Sequence, residues 1–199
     1  LAQVVENVDP ESHGRNKVRM LATEAELWAS VVVASAGQGY GLTCLPKLEE
    51  TVVVAFITPE QPLVIGSIWA GENSMPSSAD AVEDHYVIET PAGSVLEFND
   101  ADSARIEIRT SSGYSLKIDE GNGGKITLTR GGQTIEMSSS EIKLSGTKVV
   151  LEALTIEMNA SQITANAAMA SFSGVVQCNT CIATSVVGTS YTPGAGNIW

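Results

Sequence analysis

The second half of the chain repeats a pair of apolar residues, spaced two apart, at intervals of seven residues. The pairs are Ile135/Met137, Ile142/Leu144, Val149/Leu151, Ile156/Met158, Ile163/Ala165 and Ala170/Phe172. Residues two apart lie on the same face of a β-strand. Because the intervening residue is mostly polar, each segment is predicted to be a short strand with one buried and one solvated face. Such short strands must share a core with neighbouring turns or neighbouring chains.

The same pairing begins upstream at a wider interval. Ile106/Ile108, Leu116/Ile118 and Ile126/Leu128 follow one another in steps of ten. The wider steps leave room for turns such as the glycine-rich segment 120–124. In the region with steps of seven, each strand must turn almost at once.

A heptad period also raises the possibility of a coiled coil. Coiled coils place apolar residues three and four apart, whereas residues two apart on a helix point about 200° away from each other. The stretch 134–173 is also rich in Ser, Thr, Val, Ile and Asn, which are poor helix formers. The pattern therefore favours strands over helices.

The charge and the cysteine count of the chain limit its possible partners and its cellular compartment. The chain has 199 residues, with 23 acidic and 11 basic side chains, and a formal net charge of −12. This charge repels phosphate backbones, which argues against nucleic-acid binding. Three cysteines are too few for a disulfide scaffold and are interpreted as thiols in a reducing compartment.

Pattern and turn residues divide the chain into four parts. Residues 1–72 are predicted to form a small OB-fold barrel, with strand-like runs at 17–21, 27–33, 50–57 and 63–69 and with Trp28 in its core. Residues 73–86 form a polar, proline-containing linker. The β-helix needle then spans 87–187, and 188–199 form a C-terminal tip segment.

The steps of seven also predict the oligomeric state. A solitary solenoid takes about 20 residues or more per turn, so seven-residue steps fit an intertwined, triple-stranded β-helix of three chains better. The fold class is therefore all-β, a barrel followed by a trimeric needle. The side chains predicted to fill the trimer core are Ile126, Leu128, Ile135, Met137, Ile142, Leu144, Val149, Leu151, Ile156, Met158, Ile163 and Phe172.

Several segments, in order, resemble the central spike proteins of contractile injection systems. Residues 4–19 resemble the opening of their OB domain, in which a Gly-Arg pair leads into a Val-rich strand. Residues 37–41, 45–56 and 62–69 resemble its later segments. The family includes phage baseplate spikes, VgrG of type VI secretion and the spikes of extracellular contractile injection systems, and the ending at 190–199 is most similar to the last group.

The resemblance implies a structural, membrane-puncturing spike rather than an enzyme. It implies a homotrimer that contacts baseplate hub and inner tube proteins at its N-terminal end and the target cell envelope transiently. A PAAR-type tip protein would sit at the C-terminal end, on Tyr191, Ile198 and Trp199. Assembly would be cytoplasmic, and the spike would then belong to a released or membrane-associated phage tail-like particle. The His-x-His iron site of some phage spikes is missing, because the only histidines are His13 and His85.

No motif indicates a catalytic, cofactor or metal site. Cys178 and Cys181 form one Cys-x-x-Cys, but residues three apart on a strand face opposite sides, so structural packing is the simpler interpretation. Asp9, Glu11 and His13 cluster in a predicted turn and could hold a cation, but a solvated loop is the favoured interpretation.

Two other functions are compatible with a β-helix. One is a carbohydrate-binding or polysaccharide-degrading tail protein, although the repeat region offers few aromatic side chains for sugars (Phe98, Tyr114 and Phe172). The other is a VgrG-type fragment that carries a toxin. The short C-terminal segment argues against this function.

Overall fold

The described part of the chain is all-β. A computed structural model describes residues 1–71, 74–76 and 83–190. Within these residues there are strands and one short 3-10 turn at Gly121–Gly123, and there is no α-helix. The chain divides into two units, Leu1–Val150 and Leu151–Trp199.

Five of the first seven strands close into a barrel. The strands are β1 (Ala2–Glu6), β2 (Arg15–Met20), β3 (Glu26–Val31), β4 (Ala36–Gly37), β5 (Tyr40–Gly41), β6 (Thr51–Phe56) and β7 (Pro62–Ser67). The barrel order is β1-β2-β3-β7-β6, and β4 pairs with β5 in a small separate hairpin. The pairing of β3 with β7 is parallel, and the pairing of β1 with β6 completes the ring. The predicted five-strand barrel is confirmed, and its order is consistent with an OB fold.

The barrel core follows from alternation along these strands. The buried residues are Ala2, Val4, Val18, Ala29, Val52 and Val64, and Met20, Leu27, Val31 and Val54 pack around them. Small and β-branched side chains suit the narrow interior of a five-stranded barrel.

The prediction that Trp28 belongs to this core is wrong. Trp28 lies between the inward-facing Leu27 and Ala29, is half-buried on the outer surface, and is covered there by the Arg15 guanidinium at 5.5 Å.

Seven further strands form an antiparallel sheet. They are β8 (His85–Glu89), β9 (Val95–Asn99), β10 (Arg105–Arg109), β11 (Ser115–Asp119), β12 (Lys125–Arg130), β13 (Gln133–Ser138) and β14 (Ile142–Ser145). Strands that are consecutive in sequence pair with one another, so that β8 and β14 are the two edges of the sheet. Tight turns make this possible, as at Gly131, whose φ of +56° suits glycine.

This arrangement corrects part of the predicted needle. Residues 87–145 lie within the range expected to be intertwined between chains, yet the strands there pair within one chain, and β8 begins two residues earlier, in the predicted linker. The steps of nine or ten residues up to β13, and also the step of seven from β13 to β14, leave enough residues for a hairpin turn between consecutive strands.

Residues 151–190 are exposed along their whole length. They contain no strand, and no backbone hydrogen bond joins them to one another. Their strand-like apolar pattern therefore has no partner strand within this unit.

Asn16 ties a long loop to the barrel. Its fully buried side-chain amide donates a hydrogen bond to the carbonyl of Pro46, at 3.1 Å, in the loop between β5 and β6.

We expect Asn16→Ala to lower the free energy of unfolding by about 1 kcal/mol, because the buried Pro46 carbonyl loses its donor. The matched control is Gln3→Ala, which removes an exposed amide–carbonyl bond to Glu49. Thermal unfolding should show a clear loss for Asn16→Ala and almost none for Gln3→Ala; equal losses would contradict the assigned role.

Candidate assembly surface

One face of the seven-stranded sheet consists of apolar side chains in register. Each strand contributes two of them, and cross-strand pairing lines them up in two continuous rows. The first row is Tyr86, Phe98, Ile106, Ile118, Ile126, Met137 and Ile142; the second is Ile88, Leu96, Ile108, Leu116, Leu128, Ile135 and Leu144. These two rows are called the apolar face below.

The apolar face is open to solvent in the single chain. Most of its side chains are exposed, from 36% at Ile118 to 72% at Ile142, and none is buried. Soluble monomers rarely expose contiguous apolar surface on this scale, and such surfaces mark interaction sites. The face is therefore the strongest candidate for an interface in the described chain.

The opposite face of the sheet is polar and carries cross-strand ion pairs. Glu97 accepts hydrogen bonds from Arg105 at 2.6 Å and from Arg109 at 2.7 Å. Further along the sheet, Lys125 pairs with Glu136 on the neighbouring strand, and Lys117 pairs with Asp119 on its own strand. The two faces of the sheet therefore differ: one is apolar and exposed, and the other is polar and carries ion pairs.

Glu97 is the buried centre of this polar face. Its side chain is only 6% exposed. Burial by itself raises the pKa of the Glu97 carboxyl, but the hydrogen bonds from Arg109 and Arg105 outweigh burial and leave this pKa below its ordinary value. Glu97 is therefore ionised at neutral pH and joins β9 to β10 through two charge-assisted bonds.

Half of the residues predicted for the trimer core lie on the apolar face. They are Ile126, Leu128, Ile135, Met137, Ile142 and Leu144. The other six (Val149, Leu151, Ile156, Met158, Ile163 and Phe172) are exposed and lie outside any strand. Their role in a trimer core stays a prediction.

The needle is predicted from residue 87, but the apolar pairs identified from the sequence begin only at Ile106. Tyr86, Ile88, Leu96 and Phe98 show the same spacing of two and extend both rows into β8 and β9. That spacing was the signal that could have identified them.

The sequence singles out two further groups of residues. Tyr191, Ile198 and Trp199 lie outside the described residues. Cys44, Cys178 and Cys181 are free and exposed. The structure shows no cluster of three or more potential metal ligands among the residues it describes.

The loop between β1 and β2 is organised around Asp9. Its carboxylate is 5% exposed and accepts hydrogen bonds from the Arg15 side chain and from the backbone N–H groups of Glu11, His13 and Arg15. The Arg15 hydrogen bond is the main cause of the strongly lowered pKa of Asp9. The loop, interpreted from sequence as solvated or cation-binding, is thus held by Asp9 and Arg15.

We expect Asp9→Asn to loosen this loop without unfolding the barrel. A neutral amide oxygen is a weaker acceptor than a carboxylate oxygen, so hydrogen exchange at the amides of Glu11, His13 and Arg15 should accelerate. The matched control, Glu11→Gln, changes a carboxylate that is 60% exposed and should alter exchange little. Because the pKa of Asp9 is lowered, the wild-type protection should persist through the ordinary Asp range and disappear only in stronger acid. Loss of protection near pH 4 would contradict this assignment.

The comparison with known families bears on the barrel. Residues 1–69 match the family model of the Type VI secretion system/phage-baseplate injector OB domain. The match ends just after β7 and so spans the whole barrel. It supports a spike-type protein with a structural role of the phage-baseplate kind. No curated protein matches the chain.

None of the described residues belongs to a helix that is long and apolar enough to span a bilayer.

Proposed function

We propose that the chain is a non-enzymatic central spike of a contractile injection system, most similar to extracellular ones, and that it works as a homotrimer. The match of residues 1–69 to the injector OB domain is the observation that carries this proposal. The resemblance of the later segments and the uncovered apolar face agree with it.

In this proposal the apolar face lines the inside of a prism. Each chain supplies one seven-stranded wall, and the two apolar rows of each wall meet those of the other copies. Covering such a side chain stabilises the assembly by about 1.5–3 kcal/mol for each residue fully removed from water. The polar face, with its ion pairs around Glu97, then lies outside and keeps the particle soluble.

The mechanical role follows from that shape. Sheath contraction pushes the spike along its axis into the target envelope, so the spike must carry compression without separation of its strands. A closed wall leaves few strand edges and resists unfolding one chain at a time. The barrel end would contact the hub and inner tube, and the C-terminal end would carry a PAAR-type tip protein.

The tip assignment gives the test of this function. Native mass spectrometry of the full chain mixed with the PAAR-type protein of the same particle should show three chains with one tip. Trp199→Ala should weaken that complex and leave the trimer intact, because tryptophan side chains are common interface anchors. The matched control, Tyr40→Ala, removes an exposed aromatic of the barrel and should leave tip binding unchanged. A trimer that binds no tip would contradict the tip-carrying role.

A further inference from the structure

Two cysteines lie close together in the part of the chain that forms no strand. Cys178 and Cys181 are both free and exposed, and residues 151–190 contain no strand. The rule that residues three apart face opposite sides applies to a strand. Because no strand forms here, the rule does not separate these two thiols.

The backbone around the two cysteines bends at a shorter interval than the backbone before it. Bends occur at residues 154, 161 and 168, which are seven apart, then at 173–174, and then at 179, 184 and 189, which are five apart. Cys181 also lies five residues from both Val176 and Val186, so it occupies a position that is apolar in the neighbouring steps. The two cysteines therefore lie on either side of the bend at residue 179, in a region with steps of five.

We infer that Cys178 of each copy forms a disulfide with Cys181 of the neighbouring copy, so that three bonds close a covalent ring around the last part of the needle. This inference rests on the proposed trimer. The site is incomplete in one chain, because each bond takes one sulfur atom from each of two copies.

Three-fold symmetry explains why two cysteines are needed in each chain. One cysteine per chain gives three thiols, of which only two can pair, and the third is left over. Two cysteines per chain give six thiols, and each Cys178 can pair with a Cys181 of the next copy in three equivalent bonds. Such a ring joins all three chains.

The spacing of the bends favours this pairing over a bond within one chain. In the proposed needle, one step carries a chain one third of the way around the axis, so equivalent residues of neighbouring copies are five residues apart along the perimeter. Cys181 lies three residues beyond Cys178 of its own chain and therefore two residues short of Cys178 of the next copy. Two residues of chain span about 7 Å at most, a separation between Cα atoms that a disulfide reaches.

The bond forms by exchange with a small disulfide such as oxidised glutathione. The thiolate of one cysteine attacks the small disulfide and releases one small thiol, and the thiolate of the second cysteine then attacks the mixed disulfide and releases the other. The two protein thiols are oxidised, and the small disulfide is reduced to two thiols that take up the two protons. In a reducing compartment both cysteines stay as thiols, so the ring closes only after the particle reaches oxidising surroundings.

The ring supplies a link where the chain itself supplies none. Residues 151–190 form no backbone hydrogen bonds with one another. A covalent ring in this region prevents the three chains from separating under axial load.

Non-reducing electrophoresis tests the ring. The purified full chain is treated with oxidised glutathione, its remaining thiols are blocked, and the sample is boiled in SDS. We expect a band at three times the chain mass of 20.8 kDa, which a reducing agent converts to the single chain. Cys178→Ser and Cys181→Ser should each abolish this band. The matched control, Cys44→Ser, removes the third exposed cysteine and should leave the band unchanged.

The masses of the unoxidised samples, measured in parallel by light scattering, separate this inference from the proposed spike. A trimer that gives no covalent band at three times the chain mass would overturn the ring and leave the spike intact. Persistence of that band in Cys178→Ser or Cys181→Ser would overturn the ring as well. Monomers in the unoxidised samples would overturn both proposals.

Discussion

Replacing Ile135 with Asp is expected to abolish the trimer and leave monomers with a folded barrel. Ile135 lies in the middle of the second apolar row, where it faces Leu128 and Leu144 on the neighbouring strands. In a single chain this side chain is 41% exposed, so a carboxylate there has access to water. In the trimer, three carboxylates would be buried without partners, at a cost of several kcal/mol each.

Thr134→Asp is the matched control for this substitution. Thr134 is the preceding residue of the same strand and faces the polar side, opposite Thr129 and Ser145. It should stay trimeric in size-exclusion chromatography with light scattering, whereas Ile135→Asp should elute as a monomer. Two trimeric variants would show that the apolar face is not the interface.

Glu97→Ala is expected to have the second-largest effect. Removing this carboxylate leaves Arg105 and Arg109, each about one-third exposed, side by side without their shared partner. Loss of one member of a largely buried ion pair costs about 3 kcal/mol. Denaturant unfolding at one fixed protein concentration measures the loss, because concentration shifts the apparent stability of an oligomer.

Glu107→Ala provides the comparison. Glu107 lies on the same face, and its nearest contact with Arg109 is long, at 3.9 Å. Its removal should cost about 1 kcal/mol or less. Similar losses for the two variants would contradict the special role of Glu97.

The pH dependence of the Glu97 contribution follows from its lowered pKa. A carboxyl whose pKa is lower in the folded state stabilises the fold fully above its ordinary pKa and loses this effect as the pH falls through the folded-state value. The stability difference between wild type and Glu97→Ala should therefore be constant near neutral pH and shrink only in acid below the ordinary Glu range. A difference that shrinks between pH 8 and pH 6 would contradict the assignment.

The strands and their faces could be predicted from sequence because alternation is a local property. The pairs from Ile106/Ile108 to Ile142/Leu144 all lie in strands, with both residues on one face. The partner of each strand is not local information. A spacing of two is the same whether the next strand belongs to the same chain or to another copy, so the in-chain pairing of residues 85–145 was not predicted.

The polar contacts could not be predicted for a related reason. Glu97 meets Arg109 only because β9 and β10 pair in a register that places them in adjacent strands. Asp9 likewise meets Arg15 through a turn whose backbone path the residue types do not fix. Composition indicates that such ion pairs exist, but their partners depend on strand register and loop geometry.

The mass of the purified full chain in solution shows whether three copies cover one another's apolar faces. We expect a stable trimer of about three times 20.8 kDa that persists on dilution and in mild SDS. A well-folded monomer of 20.8 kDa with its apolar face in water would contradict it.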